Sequence, residues 1–99
     1  MILKERKTEQ GLLVSVCDAE VLGETFENGD VSLTVNEGFY AGEEAEEVDE
    51  EAVVESLNRA AIANLVGTES VEVAVEAGVI DDEQVLEVDG TLHAQYLRF

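Results

Sequence analysis

Cysteine, histidine and basic side chains are all scarce in this 99-residue sequence, which holds Cys17, His93 and only five Lys plus Arg. A single cysteine excludes an intramolecular disulfide and leaves a free thiol. One cysteine and one histidine fall short of the four ligands of a structural zinc site and the three protein ligands of a catalytic one, so neither a metal nor a cofactor is expected. No apolar run approaches the roughly 20 residues that cross a bilayer, so no membrane role is expected. The opening MILKERKTEQG lacks the apolar stretch of a signal peptide, which makes a cytoplasmic location the expectation. There is no Walker loop, GxGxxG fingerprint or GxSxG elbow.

What is abundant is negative charge. Against those five cations stand 24 Asp plus Glu, for a net charge of -19. The acids are spread through most of the chain, from Glu20 and Glu24 to Glu76 and Glu87, and hydrophobic residues still make up 45 % of it. That combination indicates one folded domain over residues 1–99, since a disordered acidic chain would be poor in apolar residues. Such a charge repels nucleic acid and opposes compaction at low salt. Two readings follow. The charge suits a cytoplasm that accumulates molar salt, where the Debye length falls to about 3 Å. Alternatively the dense run Glu43 to Glu51 is a surface for a basic partner.

Taken in order, Ile2 to Lys7 and Gly11 to Cys17 read as a hairpin. Alternation sends Leu12, Val14 and Val16 one way and Leu13, Ser15 and Cys17 the other. Lys4 and Arg6 share a face of the first strand, and charge there suits either edge protection or contact with an acidic partner. Asp18 is placed to cap a short turn closed by Gly23. Asn28-Gly29 marks a reversal between Thr25–Glu27 and Val31–Val35. NEGFYAG (36–42) sets Phe39 and Tyr40 between two glycines, which suits closure of the core or a platform for a partner. Asp49 to Gly67 then has the length and periodicity of one long helix, with Val53, Leu57, Ala60, Ala61 and Asn64 on one stripe. Within that helix Asn64 serves either the backbone of an adjoining loop or an external polar group. A second helix begins at Thr68 or Ser70 and ends at Gly78, and Asp81–Gln84 is a capping-box turn. Val85–Val88 and Leu92–Phe99 form the last hairpin about Asp89-Gly90, with His93, Gln95 and Leu97 on one face. The fold class expected is α+β, with a mainly antiparallel sheet covered by two helices.

Several blocks in order, VCDAEVLGETFE, NEGFYAGE, LNRAAIANLVGTESVEVAVEAGVID and the late HAQ, resemble DUF424, a family of small uncharacterised archaeal proteins. The resemblance spans nearly the whole chain. It implies a compact α+β domain and an archaeal origin in keeping with the high-salt reading, and it carries no substrate. Leu92 stands where many relatives have proline before HAQ. The family's recognisable positions fall here on Cys17, Asp18, Phe39, Tyr40, Asn64 and His93 to Gln95, among others.

The resulting expectation is a non-enzymatic binding protein, an accessory of information processing or of a ribonucleoprotein. Its partner would be a protein or ribonucleoprotein held by Asp18, Phe39, Tyr40, Asn64, His93 and Gln95, with Lys4, Arg6, Lys7, Arg59 or Arg98 available for acidic groups. Two alternatives stand beside it. One is a small hydrolase or transferase in which His93 activates Cys17, which requires sulfur and ring nitrogen within about 4 Å in an accessible cleft. The other is a structural homodimer formed through a sheet edge.

Overall fold

The computed structural model describes residues 1–98; Phe99, the end of the apolar YLRF segment, lies outside the described residues. Strands β1 (Ile2–Thr8) and β2 (Gly11–Cys17) form the expected hairpin. A 3-10 turn (Ala19–Val21) leads to a separate hairpin of β3 (Thr25–Asn28) and β4 (Val31–Thr34), closed by Gly29 and Asp30. Next come a one-turn helix α1 (Glu37–Tyr40), strand β5 (Ala45–Glu47), helix α2 (Glu50–Arg59), strand β6 (Ile62–Val66) and helix α3 (Thr68–Glu76). A second 3-10 turn (Asp82–Gln84) precedes β7 (Leu86–Val88) and β8 (Thr91–Leu97). Both Asp89 (φ 49°) and Gly90 (φ 86°) are left-handed, the conformation that a two-residue hairpin loop with native twist requires.

The main sheet has six strands in the order β5-β1-β2-β6-β8-β7, and only the β2–β6 pairing is parallel. The α+β class and the mainly antiparallel sheet are as expected. The long helix over Asp49–Gly67 is corrected: it stops at Arg59, Ala60 turns extended, and Ile62–Val66 becomes a strand in the middle of the sheet. Periodicity misleads here because Ile62 and Val66 put apolar side chains on the face opposite the helices while Ala63 and Leu65 do so on the core face, so IANLV extends the apolar pattern of the helix before it. Asn64 therefore does not share a stripe with Val53 and Leu57. Two smaller corrections follow: the acidic approach to α2 contains β5, and β1 is an edge strand only beyond Lys4, since β5 covers Ile2 to Lys4.

Helices α2 and α3 cover one face of the sheet. There Val14, Val16, Ala63, Leu65 and Ala94 meet Val53, Leu57, Val71, Ala74 and Ile80 in the principal core. The buried Tyr96 hydroxyl donates to Leu57 O, which anchors the end of α2. On the opposite face a smaller cluster of Cys17, Val35, Tyr40 and Val66 is closed by Phe26, Leu33 and Phe39 from the β3–β4 hairpin and α1.

Asp18 ties these layers together, although not as expected. Its side chain makes no cap bond to its own turn. Instead one carboxylate oxygen accepts from Ser70 N (2.8 Å) and Ser70 Oγ (2.7 Å) and the other from Glu69 N (3.0 Å), which caps α3 from across the sheet. The residue is only 4 % exposed, and the donors at a helix N-terminus replace the water it has lost. Gly67 makes the approach possible. It has φ +116°, and a Cβ there would lie 2.3 Å from Asp18 Cγ.

Gly67→Ala is expected to cost about 3 kcal/mol through backbone strain and displacement of the carboxylate, lowering the thermal midpoint by roughly 12–24 °C. Asp18→Ala, which strands the same donors without strain, should cost about 2 kcal/mol. Calorimetry of both variants checks this, and a Gly67→Ala protein as stable as the parent would contradict it.

Candidate functional site

Alternation along β1, β2, β6 and β8 turns Ile2, Lys4, Arg6 and Thr8, then Leu13, Ser15 and Cys17, then Ile62, Asn64 and Val66, and finally Thr91, His93, Gln95 and Leu97 to the face opposite the long helices. None of these residues is acidic, in a chain with 24 carboxylates. The Cys17–Val66 end is buried under α1 and the β3–β4 hairpin. The other end is open: Arg6, Leu13, Ile62 and Asn64 are half-buried, Gln95 is exposed, and Leu97 is 58 % exposed. Across its middle, Lys4 pairs with Ser15, Ser15 with Asn64, and Asn64 with Gln95, which makes one polar row over four strands.

The residues singled out from the sequence fall into two groups. Asn64 and Gln95 are direct cross-strand neighbours, His93 stands two residues along the same face, and Phe39 borders that face from α1. The side-chain amides of Asn64 and Gln95 have no hydrogen-bond partner among the described residues. His93 Nδ1 lies 3.0 Å from Leu65 O, and since a carbonyl only accepts, this nitrogen carries a proton. Asp18 and Tyr40 belong to the second group, buried and internal. Asp18 is spent on α3, and Tyr40 is 5 % exposed with its hydroxyl pKa pushed up to about 12 by burial. Ser15 was missed by sequence reasoning, although the alternation in LLVSVC already put it on this face between Leu13 and Cys17.

Cys17 and His93 share the face without meeting. Val66 lies between them in register, which separates their backbones by two strand spacings, about 9.5 Å. The thiol is fully buried and its pKa is raised to about 11, first by desolvation and then by the Asp18 charge. A buried, protonated sulfur one strand away from the imidazole is not the dyad that nucleophilic catalysis needs.

The scarce cations are largely engaged within the protein. Lys4, buried beneath α1, donates to Gly38 O (2.8 Å) and Ala41 O (2.9 Å). Arg6 donates to Gly38 O (2.8 Å) and sits 5.3 Å from the centroid of the Phe39 ring. Arg59 pairs with Glu5 at 2.7 Å, and Arg98 donates to Asn58 O while lying over the Tyr96 ring. Only Lys7 has no such partner among the described residues. The acidic run Glu43 to Glu51 is also partly structural, since Ala45–Glu47 pairs with β1 and Asp49 Oδ1 accepts from Ala52 N as the cap of α2. No group of three or more His, Cys, Asp or Glu among the described residues is arranged to hold a metal ion, and no described helix is long and apolar enough to cross a membrane.

The buried thiol makes a testable statement about pH. Below about pH 9 it is neutral whether folded or unfolded; from there up to about 11 only the unfolded chain ionises, so stability is lost as pH rises through this window. The melting midpoint of the parent should fall over that range, and that of Cys17→Ala should fall less. At pH 8 the folded thiol should react with a disulfide reagent at least 100-fold more slowly than in denaturant. Rapid labelling of the folded protein would contradict the burial.

Comparison with known proteins places this geometry. The fold is similar to the crystal structure of an uncharacterized conserved protein from Methanopyrus kandleri, with a TM-score of 0.75 at 23% identity over 99% of this chain and 92% of that one. At that identity the likeness shows the fold. No curated protein matches the sequence. Residues 5–99 match the family described as "Protein of unknown function (DUF424)". With all but four residues of the chain inside that match, and an archaeal protein of the same fold beside it, the chain belongs to the DUF424 family.

Proposed function

We propose that this protein is a non-enzymatic binding domain whose recognition surface is the open, carboxylate-free end of the sheet face, and that its partner is a polypeptide. The observation that carries the proposal is the absence of carboxylates from β1, β2, β6 and β8 on that face in a chain of net charge -19; Glu47 of β5, opposite Ile2, lies at the other end. Charged groups are depleted where surface is desolvated on association, and this face combines apolar Leu13, Ile62 and Leu97 with the unpaired amides of Asn64 and Gln95. Phe39 and Arg6 border it as an aromatic and a guanidinium contact, residue types common in recognition. His93 lies two residues from Gln95 on the same face.

A polypeptide is favoured over RNA because four of the five basic side chains already have intramolecular partners. Phosphate recognition draws its affinity from free Lys and Arg. A place in information processing remains open through a protein component of such an assembly. The catalytic alternative lacks its geometry, since Cys17 is sealed beneath the hairpin.

The test is capture from an extract of the source organism at molar KCl, with bound polypeptides and RNA identified separately. The parent protein should recover a discrete polypeptide, and the double variant Asn64→Asp/Gln95→Glu should weaken its binding tenfold or more, about 1.4 kcal/mol. Equal recovery by both proteins, or recovery of RNA alone, would sink the proposal.

We also infer that the acidic surface is an adaptation to a salt-rich cytoplasm. With few cations to neutralise it, self-repulsion among the acids is relieved mainly by mobile ions. Raising KCl from about 0.1 M to about 1 M shortens the Debye length from about 10 Å to about 3 Å. A relief of about 1–2 kcal/mol should raise the thermal midpoint by roughly 4–16 °C. A midpoint indifferent to KCl would remove this reading.

A further inference from the structure

The main-chain hydrogen bonds of β8 are used on one side only over its second half. Gly67 N–H donates to Leu92 O at 2.9 Å, and Arg98 N–H donates to Ala61 O at 2.7 Å. Bonded and non-bonded pairs alternate along an antiparallel ladder, so Leu92, Ala94, Tyr96 and Arg98 turn their backbone groups toward β6. His93, Gln95 and Leu97 turn theirs the other way. Strand β7 occupies that side as far as the Leu86–His93 pair and goes no further. The N–H and C=O of Gln95 and Leu97 thus face an open lane, without a hydrogen-bond partner among the described residues.

Proteins protect free strand edges with charge, and the other edges of the main sheet follow that rule. Strand β5 carries Glu46 and Glu47, β7 carries Glu87, and the part of β1 beyond β5 carries Glu5, Arg6 and Lys7. The open part of β8 reads Ala94-Gln-Tyr-Leu97, with no charge at all. We propose that this lane receives an extended segment of a partner polypeptide, which prolongs the line of β7 and pairs with the backbone of Gln95 and Leu97. The inference rests on the reading of the open, carboxylate-free end of the face as a recognition surface and states how the partner engages it. Main-chain pairing supplies the affinity, while alternate side chains of the segment lie beside Gln95 and Leu97 on the open face and choose the partner. The segment is neutral or basic, since it joins a chain of charge -19. A second copy of this chain fits less well: it would bring an equal negative charge, and an edge with two outward-facing residues falls far short of the roughly 1,200–2,000 Å² of a stable interface.

A displayed library of short linear peptides, selected on the folded parent protein at molar KCl, supplies the probe. Leu97→Pro removes an outward N–H while leaving the bonds to β6 in place, and Leu97→Asp adds edge charge at a side chain that is already exposed. Circular dichroism establishes that each variant folds. Selected peptides should bind about tenfold more weakly to Leu97→Pro, the scale of one main-chain hydrogen bond, and at least as much more weakly to Leu97→Asp, with Val31→Asp on the β3–β4 hairpin unchanged. Hydrogen exchange should slow at the amides of Gln95 and Leu97 on binding. Failure to select any peptide, or peptides whose affinity and exchange pattern ignore the lane, overturns the inference. Loss with Asn64→Asp/Gln95→Glu but not with Leu97→Pro or Leu97→Asp would retain the face as a binding surface and reject strand addition. Indifference to all of these variants rejects both. A dimer in sedimentation equilibrium that is abolished by Leu97→Asp would put a second copy in the lane and overturn the stated occupant.

Discussion

The contact on which the rest of this structure depends is the Asp18 carboxylate against the first turn of α3. It joins the end of β2, the end of β6 and the start of a helix at one point, with Gly67 as the gap through which the carboxylate reaches Glu69 N and Ser70 N. Because β2 and β6 run parallel, both deliver their C-terminal ends to that point, where a helix N-terminus offers donors to an anion. The β6–α3 connection is a single glycine, and the backbone of that glycine is itself bonded, Gly67 N to Leu92 O. Displacing the carboxylate would therefore disturb the helix, the crossover and the β6–β8 ladder at once. It is a demanding use of negative charge in a protein that has negative charge to spare, since the carboxylate is buried and held by backbone donors.

Positive charge is handled with matching economy. Lys4 lies under α1 and satisfies two carbonyls that would otherwise face the sheet, and Arg6 takes a third interaction with the same segment. These bonds fix α1 over β1 and β2, which seals Tyr40 and Cys17 and decides where the cover of the face ends. The surface beyond α1 is thus open because the cations that dock α1 are anchored in β1. Arg59, ion-paired to Glu5, fastens α2 to β1 on the other side of the sheet. In a more basic protein such roles fall to a few cations among many. Here they consume nearly all of them.

Much of this was legible in the sequence wherever a local rule acts alone. Alternation in LLVSVC and LHAQYL assigned every residue to its correct face, and Asp89-Gly90, Gly78 and Asp49 marked a turn, a helix end and a helix start that the structure contains. What escaped was tertiary in origin. Ile62–Val66 reads as helix because apolar residues on both of its faces remove the period-two signal, and nothing local reveals that β2 lies beside it as a parallel partner. Asp18 sits in a good position to cap its own turn, and its actual partners are more than fifty residues away. The grouping of Asn64 with Gln95 and His93 was reached from their polarity and from resemblance, while the reason for it, one register across three strands, belongs to the topology.

That register explains why the open, carboxylate-free end of the face exists at all. A strand shifted by one residue exchanges its two faces. Were β6 displaced in this way against β2 and β8, the amide of Asn64 would enter the core among Val53, Leu57 and Val71, and Ala63 and Leu65 would move to the open side. The core therefore enforces the placement of Asn64 beside Ser15 and Gln95, and the polar row needs no interaction of its own to hold it in line. In the proposed binding role, stability and recognition would act on opposite faces of the same strand, since the residues at positions 62, 64, 95 and 97 lie outside the core that their neighbours build. A surface positioned by a rigid sheet, with its side chains unbonded to the rest of the protein, is suited to binding without rearrangement.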